Sequence, residues 1–152
     1  MTDEFDALAC ARKLLETCDR AALATLGEND MPFASLVTVS VDSRRQPILL
    51  LSDLAVHTGN LRERPQTSLL LVEDLSSAAD PLVQDRLTLC GLVQPCDDQE
   101  AAAETFLRDH PHAAGYAGFT DFAFYCMTSS TAHLVAGFGR IASLSADQLF
   151  LK

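Results

Sequence analysis

Residues 33–42, FASLVTVSVD, alternate with a period of two. Phe33, Ser35, Val37, Val39 and Val41 fall on one face of an extended strand; Ala34, Leu36, Thr38, Ser40 and Asp42 fall on the other. No helix keeps such a set together. The turn-forming run SRRQP (43–47) leads into ILLLSD (48–53), which predicts an antiparallel hairpin. Short apolar runs recur at RAALATLG (20–27), QTSLLLVE (66–73), RLTLCGLVQ (86–94), FAFYCMTS (122–129) and AHLVAGFGRIASL (132–144). The last two are expected as separate strands joined by a tight Ser/Thr turn. A helix is expected at residues 3–19, where Leu8, Ala11, Leu15 and Cys18 form a stripe. A second starts at Asp97, with Glu100 three residues on as a capping-box signal; Ala103, Phe106 and Leu107 form its buried stripe and Pro111 stops it. LAVHTGNLRER (54–64) reads as a short helical or looped excursion, and residues 74–85 as a polar loop. Six or seven strands without strand–helix alternation predict a mostly β (α+β) antiparallel barrel with peripheral helices, a single domain over residues 1–152.

Composition removes several function classes. The 152 residues carry 11 Lys+Arg against 21 Asp+Glu, a net charge of −10. A binder of nucleic-acid phosphates needs clustered cations, and so does a protein that docks on anionic lipid. No apolar run approaches the ~20 residues of a membrane span, and the acidic start MTDEFDA does not resemble a signal peptide. A cytoplasmic domain is expected. The five cysteines, Cys10, Cys18, Cys90, Cys96 and Cys126, contain no C-x-x-C pair and are expected to be small buried hydrophobes rather than a disulfide or zinc framework.

Few segments carry chemistry. GFGR (137–140) lacks the third glycine and the following helix of a dinucleotide fingerprint, so it reads as a strand bulge or a close backbone approach. His110 and His112 flank Pro111 with no further ligand at metal spacing. No G-x-S-x-G elbow is present. SDLAVHTGNL (52–61) is richer. A strand ends at Ser52, and a turn then offers His57, Thr58 and Asn60 within four residues, a set able either to hold a phosphate or to satisfy its own backbone.

Taken together, S-x-L-A-x-H-T-x-N-L (52–61), R-L-T-L-x-G (86–91), Y-x-G-F-x-D-F (116–122) and G-F-G-R (137–140) resemble the pyridoxamine 5′-phosphate oxidase-like FMN-binding split barrels, and within them the haem-utilisation (HugZ-like) branch. The resemblance runs in order over roughly residues 12–144. It implies a six-stranded split barrel that acts as a homodimer with FMN at the subunit interface, the flavin carrying two-electron chemistry on a small-molecule redox substrate that stays unnamed. Ser35, Leu36, Val37 and Thr38 would then lie along the isoalloxazine edge, and Ser52 under the flavin or its ribityl chain. His57, Thr58 and Asn60 would form the phosphate turn, and the partner's Phe138 and Arg140 would close the site. The dimer interface is expected to bury about 2,000 Å² or more.

This chain departs from the oxidases of that family at the cations. They carry an Arg at the position matched to Ser35 and an Arg-Lys pair near His57 and Thr58, and this sequence has neither. Pyridoxamine phosphate oxidation is therefore not expected. Two other readings stay open beside the FMN-dependent oxidoreductase. One is a dimeric binding module with weak FMN affinity or none; the other is a haem-binding or haem-degrading protein, with His110 and His112 as ligands to test. The C-terminal haem-ligand segment of the haem-utilisation branch has no counterpart before Lys152.

Overall fold

In the computed structural model, which describes residues 4–73 and 80–151, the alternating segment is strand β2 (Pro32–Val41). It lies between β1 (Arg20–Leu26) and β3 (Pro47–Ser52), antiparallel to both. β1 continues to β4 (Gln66–Val72), β4 to β5 (Arg86–Pro95) and β5 to β6 (Phe122–Ala136). β6 then pairs back with β3, from Ile48↔Cys126 to Ser52↔Phe122, and closes a six-stranded antiparallel barrel. β7 (Arg140–Ser145) is a seventh strand added to the outer part of β6.

Alternation decides what fills the barrel. Leu23, Val37, Val39, Leu49, Leu69, Leu71, Leu87 and Leu89 point inward and are buried. Helix α1 (Ala7–Thr17), capped by the Asp6 carboxylate on the Ala9 amide, lays Ala11, Leu14 and Leu15 on this core. The short α4 (Ala146–Leu149) adds Leu149 and Phe150. β3 is buried on both faces: Leu49 and Leu51 enter the barrel core, while Ile48 and Leu50 join a second cluster under α3 (Gln99–Asp109) with Ala102, Phe106 and Phe124. That double burial explains why ILLLS reads as an unbroken apolar run and not as an alternation. The excursion at 54–64 is helix α2 (Val56–Glu63).

Three expectations are corrected. β6 is one strand of 15 residues, with no turn in the Ser/Thr run. Cys90 pairs with Thr131 and Gly91 with Ser129, so Ser130 is the extra residue of a bulge. The chain reverses instead at Gly137-Phe138-Gly139, where both glycines take positive φ, 55° and 80°. The cap of α3 is Asp98, whose carboxylate accepts from the Ala101 amide, one residue beyond Asp97. Finally, Cys96 and Cys126 form a disulfide. Thirty residues separate them in the chain, but the Gln94↔Cys126 register brings the end of β5 alongside β6. Cys10 and Cys18 are half-buried and Cys90 is exposed, not the buried hydrophobes expected, and the Cys18 thiol donates to the Val72 carbonyl. Burial, reinforced by the hydrogen bond to Asp85, pushes the Cys10 thiol up to about 11. Residues 74–79 of the expected polar loop lie outside the described residues.

Candidate functional site

The β3–α2 junction is built from a strand that must stop and a helix that must start. Ser52 ends β3, and its carbonyl accepts from the Ala55 amide and, at 2.6 Å, from the Thr58 hydroxyl. Its own hydroxyl accepts from the Leu54 amide at 3.1 Å and donates to Asp121 Oδ2 at 3.0 Å. The Asp121 carbonyl accepts from the Asp53 amide. Ala55, the residue before α2, supplies no side-chain cap, so the helix opens under backbone control.

His57, on the first turn of α2, reaches across to β2. Its Nδ1 lies 2.9 Å from Ser35 Oγ in a part-buried hydrogen bond. Desolvation lowers the His57 pKa below 6.5, so near neutrality the ring is uncharged. Among the described residues no partner engages its Nε2. Two other polar side chains of the turn face inward. Thr58 is fully buried, and Asn60 Nδ2 donates to the Thr25 hydroxyl on β1 at 3.0 Å. Arg62 pairs with Asp53, and Arg64 with Asp30 and the Gly27 carbonyl.

The ten residues singled out by sequence are thus spread over three places. Ser35, Ser52, His57, Thr58 and Asn60 converge on the junction. Val37 is in the core, Thr38 is half-buried, and Leu36 is exposed on the outer face of the barrel. Phe138 and Arg140 lie on the β6–β7 hairpin, away from the junction within one chain, with Arg140 stacked on the Phe5 ring at 5.2 Å. Sequence reasoning missed Asp121 and Thr25, because each acts through a partner distant in the chain. Asp121 did stand inside the Y-x-G-F-x-D-F signature. His110 is no free ligand: it is buried and donates from Nε2 to the Val39 carbonyl. Among the described residues no group of three or more His, Cys, Asp or Glu could hold a metal ion. None of their helices is long and apolar enough to cross a membrane.

On the opposite side of β2 the outer face of β2, β1 and β4 forms a depression of about 620 Å³. Leu36, Ala22, Leu70 and Val72 make its apolar floor; Lys13, Asp19, Arg20 and Glu73 stand at its edge. Leu36 is 75% exposed there.

Comparisons with known proteins place this architecture. A family model described as the CREG β-barrel matches residues 2–150. The chloroplastic heme oxygenase HOZ of Arabidopsis thaliana is 33% identical over 108 residues, 70% of this chain and 32% of the plant protein. A solved haem-binding protein from Mycobacterium smegmatis superposes with TM-score 0.87 at 30% identity, over 96% of this chain and 60% of its own. A Clostridium acetobutylicum protein related to general stress protein 26, of the pyridoxinephosphate oxidase family, gives TM-score 0.71 at 18% identity, over 93% and 96% of the two chains. This last likeness shows the fold. The chain therefore spans about a third of the plant relative's length and less than two thirds of the mycobacterial one. Matched over almost all its residues and closed into the same barrel, the chain belongs to the CREG β-barrel family, with the split-barrel fold of the pyridoxinephosphate oxidase-like proteins.

Proposed function

We propose that this protein is a haem-binding split barrel of the haem-utilisation branch, acting as a homodimer, with His57 as the side chain that meets the iron. The Ser35–His57 pair carries the reading. In the tautomer whose Nδ1–H donates to the Ser35 hydroxyl, the neutral imidazole keeps its Nε2 lone pair free, and iron-ligating histidines are commonly oriented in this way. Leu54 and Val56 stand exposed beside it in the chain, and Phe119 lies two residues from Asp121; these supply apolar surface for a porphyrin. Two relatives at 30% identity or more, the plant and the mycobacterial protein, are named for haem, whereas the oxidase-type likeness rests on fold. Bound haem would supply iron-centred redox chemistry; the chain's own part is to hold and orient it.

FMN is the second reading, and one observation favours it: the Val56 and His57 amides, at the start of α2, have no acceptor within the described chain. The rest of the turn is already satisfied. The Asp53, Leu54, Ala55, Thr58 and Gly59 amides all donate to internal acceptors, as do the Ser52 and Thr58 hydroxyls. Arg62 and Arg64 are already paired with carboxylates. The dimer is proposed through the depression on the β2–β1–β4 face, where the apolar floor would be covered by a second copy.

Haemin titration followed in the Soret region tests the first reading. The wild type is expected to give a shifted band that saturates near one haem per chain. His57→Ala should weaken binding at least about tenfold, the loss of one good ligand bond, while His112→Ala, exposed and outside the junction, should not. An unchanged band in His57→Ala would sink the assignment. Protein that purifies with stoichiometric FMN would favour the second reading.

A further inference from the structure

The sequence of the β3–α2 turn looks made for a phosphate, yet two carboxylates surround it. Asp53 lies on the turn itself, and the Arg62 guanidinium neutralises it. Asp121 comes from the loop before β6 and grips the turn twice, through its carbonyl to the Asp53 amide and through Oδ2 to the Ser52 hydroxyl. Among the described residues no cation pairs with Asp121. Among the described residues, two carboxylates and one guanidinium leave one negative charge uncompensated on the turn whose Val56 and His57 amides remain open. His57 itself, kept neutral by desolvation, adds no positive charge near neutral pH.

We infer that Asp121 is a specificity-determining residue of this turn: it excludes ligands that end in a phosphate dianion and admits ligands whose tail is uncharged or lies elsewhere. The exclusion has two parts. The Asp121 carboxylate repels a second anion brought within a few ångströms, an effect large at the reduced dielectric of a part-buried site. It also holds the Ser52 hydroxyl as a donor to itself, removing a group that a phosphate would use. The inference holds whether or not haem is the ligand, so the haemin titration and the experiment below fail independently.

FMN and riboflavin share one ring system and differ by the phosphate, so the ratio of their affinities reads the phosphate alone. Flavin fluorescence quenching would be measured with the wild type, with Asp121→Asn, which keeps the shape of the side chain, and with Asp97→Asn, which removes one exposed carboxylate outside the junction. The wild type is expected to bind FMN no more tightly than riboflavin. Asp121→Asn should raise the FMN-to-riboflavin affinity ratio at least about tenfold, and Asp97→Asn should leave it in place. A ratio that does not move in Asp121→Asn overturns the inference, as does an equal rise in Asp97→Asn. Flavin binding too weak to detect in both wild type and Asp121→Asn counts as no movement. Should Asp121→Asn lose its fold by circular dichroism, a salt titration of the wild type decides. Between about 20 and about 300 mM salt, repulsion is progressively screened and the ratio should climb. A flat or falling ratio would overturn the proposal.

Discussion

At the residue scale, His57 joins site chemistry to stability. Its pKa is lowered from 6.5 by desolvation. As pH falls past 6.5 the unfolded chain takes up a proton that the folded chain resists, so stability drops; above 6.5 both states hold a neutral ring and the effect vanishes. The melting temperature of the wild type should therefore fall more steeply between about pH 7 and about pH 5 than that of His57→Gln, which cannot titrate there. Parallel slopes in the two proteins would contradict the burial argument. His57 and Ser52 were legible as candidates from sequence because hydroxyl, amide and imidazole cluster within ten residues. The pairings of the site's side chains were not. Ser35 lies 22 residues from His57, Asp121 69 residues from Ser52, and Thr25 35 residues from Asn60, separations across which only the closed barrel brings side chains together.

At the element scale, the bulge opposite Gly91 shows how one missing side chain admits an extra residue. A Cβ on Gly91 would overlap the Thr128 carbonyl oxygen and stand 2.8 Å from Ser129 Cα, both backbone atoms that cannot step aside. Gly91→Ala should cost about 2–4 kcal/mol by urea denaturation, whereas Gly115→Ala, with open space around its site, should cost far less. Equal losses would mean that the bulge tolerates a side chain. This element also marks the limit of sequence reading. The alternation of β2, the hairpin to β3 and the stop at Pro111 could all be read locally, since propensity and burial agree there. The Ser-Ser-Thr run of β6 could not. Its residues favour turns in isolation, and pairing of Ser129 and Thr131 with β5, and of Thr131 with β7, overrides that preference. The Cys96–Cys126 bond was hidden for a related reason, because register and not spacing sets which cysteines meet.

At the scale of the whole molecule, the barrel leaves an apolar face uncovered on β2, β1 and β4. If a second copy covers it, Leu36→Asp should convert a dimer to a monomer in light scattering at micromolar concentration, with little loss of secondary structure, since Leu36 lies outside the core. A wild type that is already monomeric would remove the dimer from the proposal. The closing pairing of the barrel has a consequence in time as well as in space. β3 is finished by residue 52, but its second partner lies at residues 122–126, so ring closure waits for nearly the entire chain. Until β6 arrives, one edge of the most apolar strand stays open, and Ile48 and Leu50 lack the α3 cluster that later shields them. During synthesis β3 therefore waits about seventy residues for its second partner, the interval in which pairing with another chain competes with closure.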